Sequence, residues 1–153
     1  MSGVNYTSLS LQLSSLLQGE TDVIANMANM TSLIYHNLPQ LNWVGFYIRH
    51  GDELVLGPFQ GKPACVRLKR RRGVCWAAIE KNQTLIVPDV HAFEGHIACD
   101  STSQSEIVIP VLSNGKIWGV LDVDSPIRAR FDKTDQSFLE RTVQIFQNAC
   151  HLK

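Results

Sequence analysis

Three of the four cysteines, Cys65, Cys75 and Cys99, fall within 35 residues, each beside a glycine-rich or acidic turn. Gly61-Lys62-Pro63-Ala64 leads into Cys65, Gly73-Val74 into Cys75, and Glu94-Gly95-His96-Ile97-Ala98 into Cys99 and Asp100. A thiol attacks as its thiolate, which forms most readily in an exposed, polar setting. An isolated cysteine is more often buried and inert, but three in loops so close together point to redox chemistry. Zinc is the weaker alternative. Structural zinc ligands come in close pairs such as C-x-x-C, and here no two cysteines are closer than ten positions. Structural disulfides suit an oxidising compartment. Residues Met1 to Ser10 carry no basic segment followed by an apolar one, so no export is expected and a cytoplasmic location is. Cys150 falls in an amphipathic C-terminal pattern and reads as packing. The basic run Lys69 to Arg72 reads first as a solvated strand or turn. Binding an anion, or lowering the pKa of nearby Cys75, is its sharper reading.

Carboxylates and aromatics on the candidate strands complete the chemical inventory. In Trp43-Val44-Gly45-Phe46-Tyr47-Ile48, alternation puts Val44, Phe46 and Ile48 on one face and Trp43, Gly45 and Tyr47 on the other. The first set suits a helix-covered core. The second leaves space above the glycine between two large rings. Asp122 and Asp124 share one face of their strand, roughly 7 Å apart along it. Exposure is the ordinary reading of such a pair, but Gly119-Val120-Leu121 before them indicates a buried strand end, where carboxylates are costly unless functional.

The elements that must hold these residues are legible from periodicity. Ser8 to Leu17 reads as a short helix ending near Gly19. A second helix starts after Thr21 or Asp22, either a suitable N-cap. Its apolar residues Val23, Met27, Met30, Ile34 and Leu38 form a stripe, for core or subunit contact, that ends at Pro39. Trp43 to Ile48 and Leu54 to Leu56 flank a turn at His50-Gly51-Asp52. Val74 to Lys81 reads as a short helix and Thr84 to Val87 as a short strand. Glu106 to Leu112 and Lys116 to Asp124 form a hairpin about Asn114-Gly115. A last helix runs from about Thr134 to Cys150. The expected fold is one α+β layered domain over residues 1–153. A central antiparallel sheet is flanked by helices, with the N- and C-terminal helices on one face.

The 153 residues carry 14 basic and 14 acidic side chains, with a hydrophobic fraction of 44%. That balance supports a real core and gives no general attraction to nucleic acid or membrane. No apolar stretch approaches a transmembrane span.

The segments GPFQGKPAC (Gly57 to Cys65), RGVC (Arg72 to Cys75), GHIACD (Gly95 to Asp100), SEIVIPV (Ser105 to Val111) and GVLDVDSP (Gly119 to Pro126) resemble the free methionine-(R)-sulfoxide reductases, single-domain GAF proteins. With NWVGFYI (Asn42 to Ile48), the resemblance covers about Val23 to Phe131. It implies a GAF-like fold and reduction of the free amino acid's R-sulfoxide, with thioredoxin recycling the enzyme and no bound cofactor or metal. By position, Cys99 matches the family's nucleophile and Cys65 the cysteine that forms a disulfide with it. Cys75 matches the third thiol, to which the attacking role is also given. Trp43 and Tyr47 match the aromatic methyl-binding box. Glu106, Asp122 and Asp124 match the acidic substrate pocket. A homodimer is a further expectation. The chain departs from the family at Trp76, where glycine is usual and an indole is expected to reshape the loop. Glu94 replaces a common proline, and Lys69 to Arg72 is unusually basic.

The chemistry fits that inventory. A sulfoxide is a poor electrophile until its oxygen is protonated, so an acid is needed beside a thiolate. Clustered carboxylates supply one, because like charges at close range hold a proton. The resulting sulfenic acid condenses with a second thiol. A free amino acid also offers an ammonium group to a carboxylate and an S-methyl to aromatic rings. The alternative is a GAF module that binds a ligand or senses redox state without turnover, against which stands the lack of an attached output domain. The carboxylate pocket carries a geometric condition. A two-residue Asn114-Gly115 turn sets Ile107 opposite Asp122 and turns Glu106 away. A three-residue loop with Gly115 in a G1 bulge is therefore expected, with a bulge elsewhere as the exception.

Overall fold

The computed structural model describes residues 3–96 and 99–153. Met1 and Ser2 of the N-terminal segment, and Ile97 and Ala98 of the GHIACD motif, lie outside the described residues. Helix α1 spans Tyr6–Leu17, and the Asn5 side chain caps it by accepting from the Ser8 amide at 2.9 Å. Helix α2 spans Val23–Asn37, where Asp22 rather than Thr21 is the cap, accepting from the Ala25 amide at 2.8 Å. Capping oxygens of this kind satisfy amides that have no partner inside the helix. Met27, Met30 and Ile34 are buried with Leu38 in the core. Most of the methionine stripe thus packs within the chain.

Strands β1 (Trp43–His50) and β2 (Glu53–Gly61) pair as a hairpin, followed by the short β3 (Arg67–Lys69). Helix α3 (Gly73–Lys81) and β4 (Leu85–Val87) come next, then a 3-10 turn at Val90–Ala92. Strands β5 (Ser105–Ser113) and β6 (Lys116–Ser125) precede α4 (Lys133–Ala149). The last helix opens with a reciprocal capping box between Asp132 and Asp135. These strands form one sheet in the order β3-β2-β1-β6-β5-β4, with every neighbouring pair antiparallel. Because β3 and β4 are the opposite edges, the segment joining them must cross the sheet, and it does so through α3.

Alternation divides the sheet into two cores. Val44, Phe46, Ile107, Ile109, Leu121 and Val123 pack against α1, α2 and α4. Trp43, Tyr47, Val108 and Val120 face the other way, toward Val74, Cys75 and Ala78 of α3. This is the expected α+β layering, with the N- and C-terminal helices together on one face. It also isolates the polar chemistry on the face that α3 covers.

Two local expectations are corrected here. Cys75 is in the first turn of α3 and only 3% exposed, so it is no loop thiol. Trp76 does not reshape an exposed loop either. Its side chain is buried between α3 and β3, and its indole N–H donates to the Leu68 carbonyl at 2.9 Å.

The β5–β6 turn departs from the expected loop. Ser113 pairs with Lys116 across a two-residue Asn114-Gly115 turn, with φ of 51° and 76°. Both residues adopt the left-handed backbone that such a tight hairpin turn requires, and Asn-Gly is the pair best able to do so. Parity is restored further on. Leu112 pairs with Ile117 but Val111 with Gly119, so Trp118 is an extra residue in β6. Beyond this bulge Glu106 lies opposite Asp124, on the face shared by Asp122. The exception therefore applies: one bulged residue moves the acidic side chains onto one face.

Replacing Trp76 by glycine should cost at least about 3 kcal/mol, from cavity formation together with glycine's poor helix propensity. Urea unfolding measures this, and unchanged stability would contradict the buried placement.

Candidate active site

The acidic centre is built from the two middle strands. On β6, Asp122 lies opposite Gly45 and Asp124 opposite Trp43, while Glu106 comes from β5. Exposure, the ordinary reading of the aspartate pair, does not hold. Glu106 is 7% and Asp122 6% exposed, and Asp124 is half-buried. One oxygen each of Asp122 and Asp124, Oδ1 in both cases, is shut off from solvent with no hydrogen-bond partner in the protein. Ser103 Oγ donates to Asp124 Oδ2 at 3.4 Å. Removing carboxylates from water favours the neutral form, and neighbouring negative charge adds to the effect. Burial, then Asp122 and Asp124, push Glu106 well above the usual carboxylate range. Burial and Asp122 do the same to Asp124. Asp122 is raised by burial, with its polar neighbours Glu106 and Cys75 opposing the shift. Such a cluster retains protons that isolated carboxylates would lose.

The structure places the cysteines around this centre in two distinct states. Cys65 and Cys99 are joined by a disulfide, with a Cα–Cα separation of 5.6 Å. Cys75 is free and buried against the carboxylates. Burial, followed by the charges of Asp122 and Glu106, raises its thiol well above the ordinary value. The basic run does not reverse this. Arg70 pairs with Asp52 at 3.3 Å on the surface, and only Arg72 reaches the pocket lining. Cys150 is buried and accepts from Asn26 Nδ2 at 3.3 Å, consistent with packing. His96 Nε2 lies 3.9 Å from Glu106 Oε2. Burial, then the neighbouring His91, lowers the His96 pKa, so at neutral pH it does not balance the acidic charge.

The aromatic wall stands beside these groups. The Trp43 ring stacks on Tyr47 at 5.9 Å and on Phe59 at 5.3 Å between centroids. The space expected above Gly45 is filled by this stack. A Cβ there would lie 2.3 Å from Trp43 Cη2 and 2.5 Å from Phe59 Cβ, so only glycine lets the indole lie across the strand. Both polar tips hold the loop that carries Cys65. Trp43 Nε1–H donates to the Lys62 carbonyl at 3.2 Å, and the Tyr47 hydroxyl to the Cys65 carbonyl at 2.8 Å. On the other side, Asn42 Nδ2 donates to Asp100 Oδ2, Thr102 Oγ1 and Ser103 Oγ at 2.9–3.2 Å. It thereby ties the chain after Cys99 to the start of β1.

Sequence reasoning missed Asn42, Ser103 and Phe59 as site residues. Their partners are distant in sequence, and the signals were the places of Asn42 in NWVGFYI and Phe59 in GPFQGKPAC. Trp43, Tyr47, Ser103 and the three carboxylates line one pocket, partly open to solvent. One wall is aromatic, the floor is acidic, and Cys99, bonded to Cys65, lines the cavity together with Cys75.

Comparison with known proteins assigns the class. The GAF domain family model matches residues 12–149, nearly the whole chain. Protein YtsP of Bacillus subtilis is 50% identical over 147 residues, covering 95% of this chain and 90% of that protein. The free methionine-R-sulfoxide reductase of Escherichia coli is 48% identical over 138 residues, covering 90% and 84%. A solved free methionine-R-sulfoxide reductase from Neisseria meningitidis, in complex with its substrate, superposes with a TM-score of 0.91. It is 44% identical and covers 94% of this chain and 87% of that one. The chain is a GAF protein and belongs to the free methionine-R-sulfoxide reductase family.

The carboxylate cluster predicts a pH-dependent stability difference. An unfolded glutamate titrates near ~4.3, whereas Glu106 in the fold titrates higher. Its stabilising contribution is therefore fully present below the unfolded value and is lost as pH rises through the folded one. Glu106→Gln avoids that loss. Its melting temperature should match wild type near pH 4 and exceed it by roughly 2–4 °C at pH 8, the shift produced by ~1 kcal/mol in a chain of this size. A variant less stable than wild type at pH 8 would contradict the assignment.

Proposed function

We propose that residues 1–153 act as one catalytic domain that reduces free L-methionine (R)-S-oxide to L-methionine. The observation that carries this reading is a set of buried, proton-retaining carboxyl groups in the same pocket as a cysteine pair and an aromatic wall. Glu106 and Asp122 hold the substrate ammonium, and the Trp43–Tyr47 surface receives the S-methyl. Asp124, with its raised pKa, gives a proton to the sulfoxide oxygen. Fixing methyl and oxygen against different walls selects one epimer.

Cys99 then attacks the substrate sulfur as its thiolate. The protonated oxygen passes from the substrate sulfur to the Cys99 sulfur, the transient sulfur–sulfur bond and the substrate's sulfur–oxygen bond both break, and methionine departs, leaving Cys99 as a sulfenic acid. The Cys65 thiol displaces that oxygen as water, forming the disulfide. In sum, one sulfoxide and two thiols become one thioether, one disulfide and one water. The Cys65–Cys99 bond supports pairing these two thiols in the reaction. The burial and raised pKa of Cys75 favour a supporting role beside the carboxylates over attack. Thioredoxin, a dithiol reductant of the cytoplasm, suits the recycling step because a catalytic disulfide must be reopened each cycle. All residues used here come from one chain, so the chemistry does not require a homodimer.

A coupled NADPH assay with thioredoxin and its reductase tests the substrate claim. Free R-sulfoxide should turn over, whereas the S epimer and N-acetyl-methionine sulfoxide should not. Equal rates on the N-acetyl compound would contradict an ammonium subsite. In the same assay Cys99→Ser should be inactive and Cys150→Ser unchanged. In a single-turnover experiment Cys65→Ser should release about one methionine per chain and stop as the sulfenic acid. Loss of single turnover in Cys75→Ser alone, with Cys99→Ser still releasing methionine, would reverse the thiol assignment.

A further inference from the structure

We propose that Cys75, Glu106 and Asp122 form a zinc site independent of the Cys65–Cys99 pair. Their donor atoms, one from each of α3, β5 and β6, all lie within 4.8 Å of one another. A thiol and two carboxyls offer three protein ligands and leave a fourth position facing the pocket, the coordination pattern of an open zinc site. The sulfur donor disfavours magnesium and calcium, which prefer all-oxygen sites, and suits zinc.

A second observation points to a cation. Asp122 is 94% buried by its 6% exposure, yet its Oδ1 has no hydrogen-bond partner. An unpartnered carboxylate oxygen in such a place is costly, and a dication answers it directly. When all three donors are ionised they place three negative charges in a buried space, which zinc largely offsets. The protons they carry in the metal-free state pass to solvent on binding.

The cysteine spacing argued against zinc because only one cysteine contributes, and the other two ligands are carboxylates brought in by strand register. Cys65 and Cys99 are already bonded to each other, so the site exists in the oxidised chain. On the reading proposed above, the ion would also occupy the place of the substrate ammonium, and zinc and free methionine sulfoxide would exclude one another.

The test is calorimetric titration of the oxidised full-length chain with zinc chloride, without thiol reductant. One zinc per chain is expected. Cys150→Ser should bind equally well. Cys75→Ser should bind at least about 10–100-fold more weakly, since losing even an outer partner of a metal ligand costs that much. Circular dichroism checks the fold of the variant, and Asp122→Asn serves as the second variant if Cys75→Ser does not fold. Cobalt(II) in place of zinc should give a thiolate-to-metal charge-transfer band that Cys75→Ser lacks. No saturable zinc binding, or binding by Cys75→Ser as tight as wild type, would overturn the site. Adding free methionine sulfoxide should weaken zinc binding. Zinc binding that the sulfoxide leaves unchanged would support the metal site and contradict the placement of the substrate ammonium instead.

Discussion

Burying three carboxyl groups on one face of a sheet is the constraint to which the other features of the site respond. Glu106, Asp122 and Asp124 are withdrawn from water and set side by side, with two of their oxygens lacking any partner in the protein. An apolar side chain in each place would cost the fold less. The cluster has a consequence that a surface carboxylate could not produce, because a proton is retained where an ordinary acid would have lost it. The Cys75 thiol is held neutral by the same charges and the same burial. A site that stores unfavourable electrostatics in exchange for reactivity is the expected form of the conflict between stability and function.

The fold delivers this arrangement through three independent devices. The Trp118 bulge in β6 turns Glu106 onto the face of the two aspartates. Helix α3 crosses between the two sheet edges and closes that face with Val74, Cys75 and Ala78. The loops carrying Cys65 and Cys99 are fastened from below. Trp43 and Tyr47 bond to one, and Asn42 bonds to the other. All three fasteners come from the start of β1 within six residues, 42 to 47. The proposed methyl-binding wall and the anchoring of the thiol loops are thus one structure, so a change to either ring would disturb both.

Much of this was legible in the chain because it is local. Periods of 3.6 and 2 located the four helices, five of the six strands in outline, with the short β3 passed over, and the two faces of β1. Side-chain alternation alone placed Asp122 and Asp124 together. The misses share a physical cause. Hairpin register depends on a turn and a bulge together. The Asn114-Gly115 pair signals the two-residue turn that forms, but a three-residue loop was expected in its place, because nothing local announces an extra residue at Trp118. The space above Gly45 was inferred from a missing Cβ, whereas a neighbouring indole lay across it. Cys75 read as an exposed thiol because glycine and arginines precede it, and although a helix from Val74 was expected, its first turn is buried. Asn42, Ser103 and Phe59 joined the site through tertiary contacts that no short spacing encodes. The proposed zinc site was hidden for the same reason, since its donors lie on three separate elements.

The central claim is that the buried carboxyl cluster retains a proton at neutral pH. Infrared difference spectroscopy of the reduced, ligand-free chain at pH 7, with hydrogen–deuterium exchange to mark acidic protons, measures it directly. A protonated carboxylic C=O stretch that shifts on deuteration and is lost or displaced in Glu106→Gln and Asp124→Asn is the predicted result. A spectrum with only ionised carboxylate bands at pH 7, unchanged by either substitution, would contradict the account.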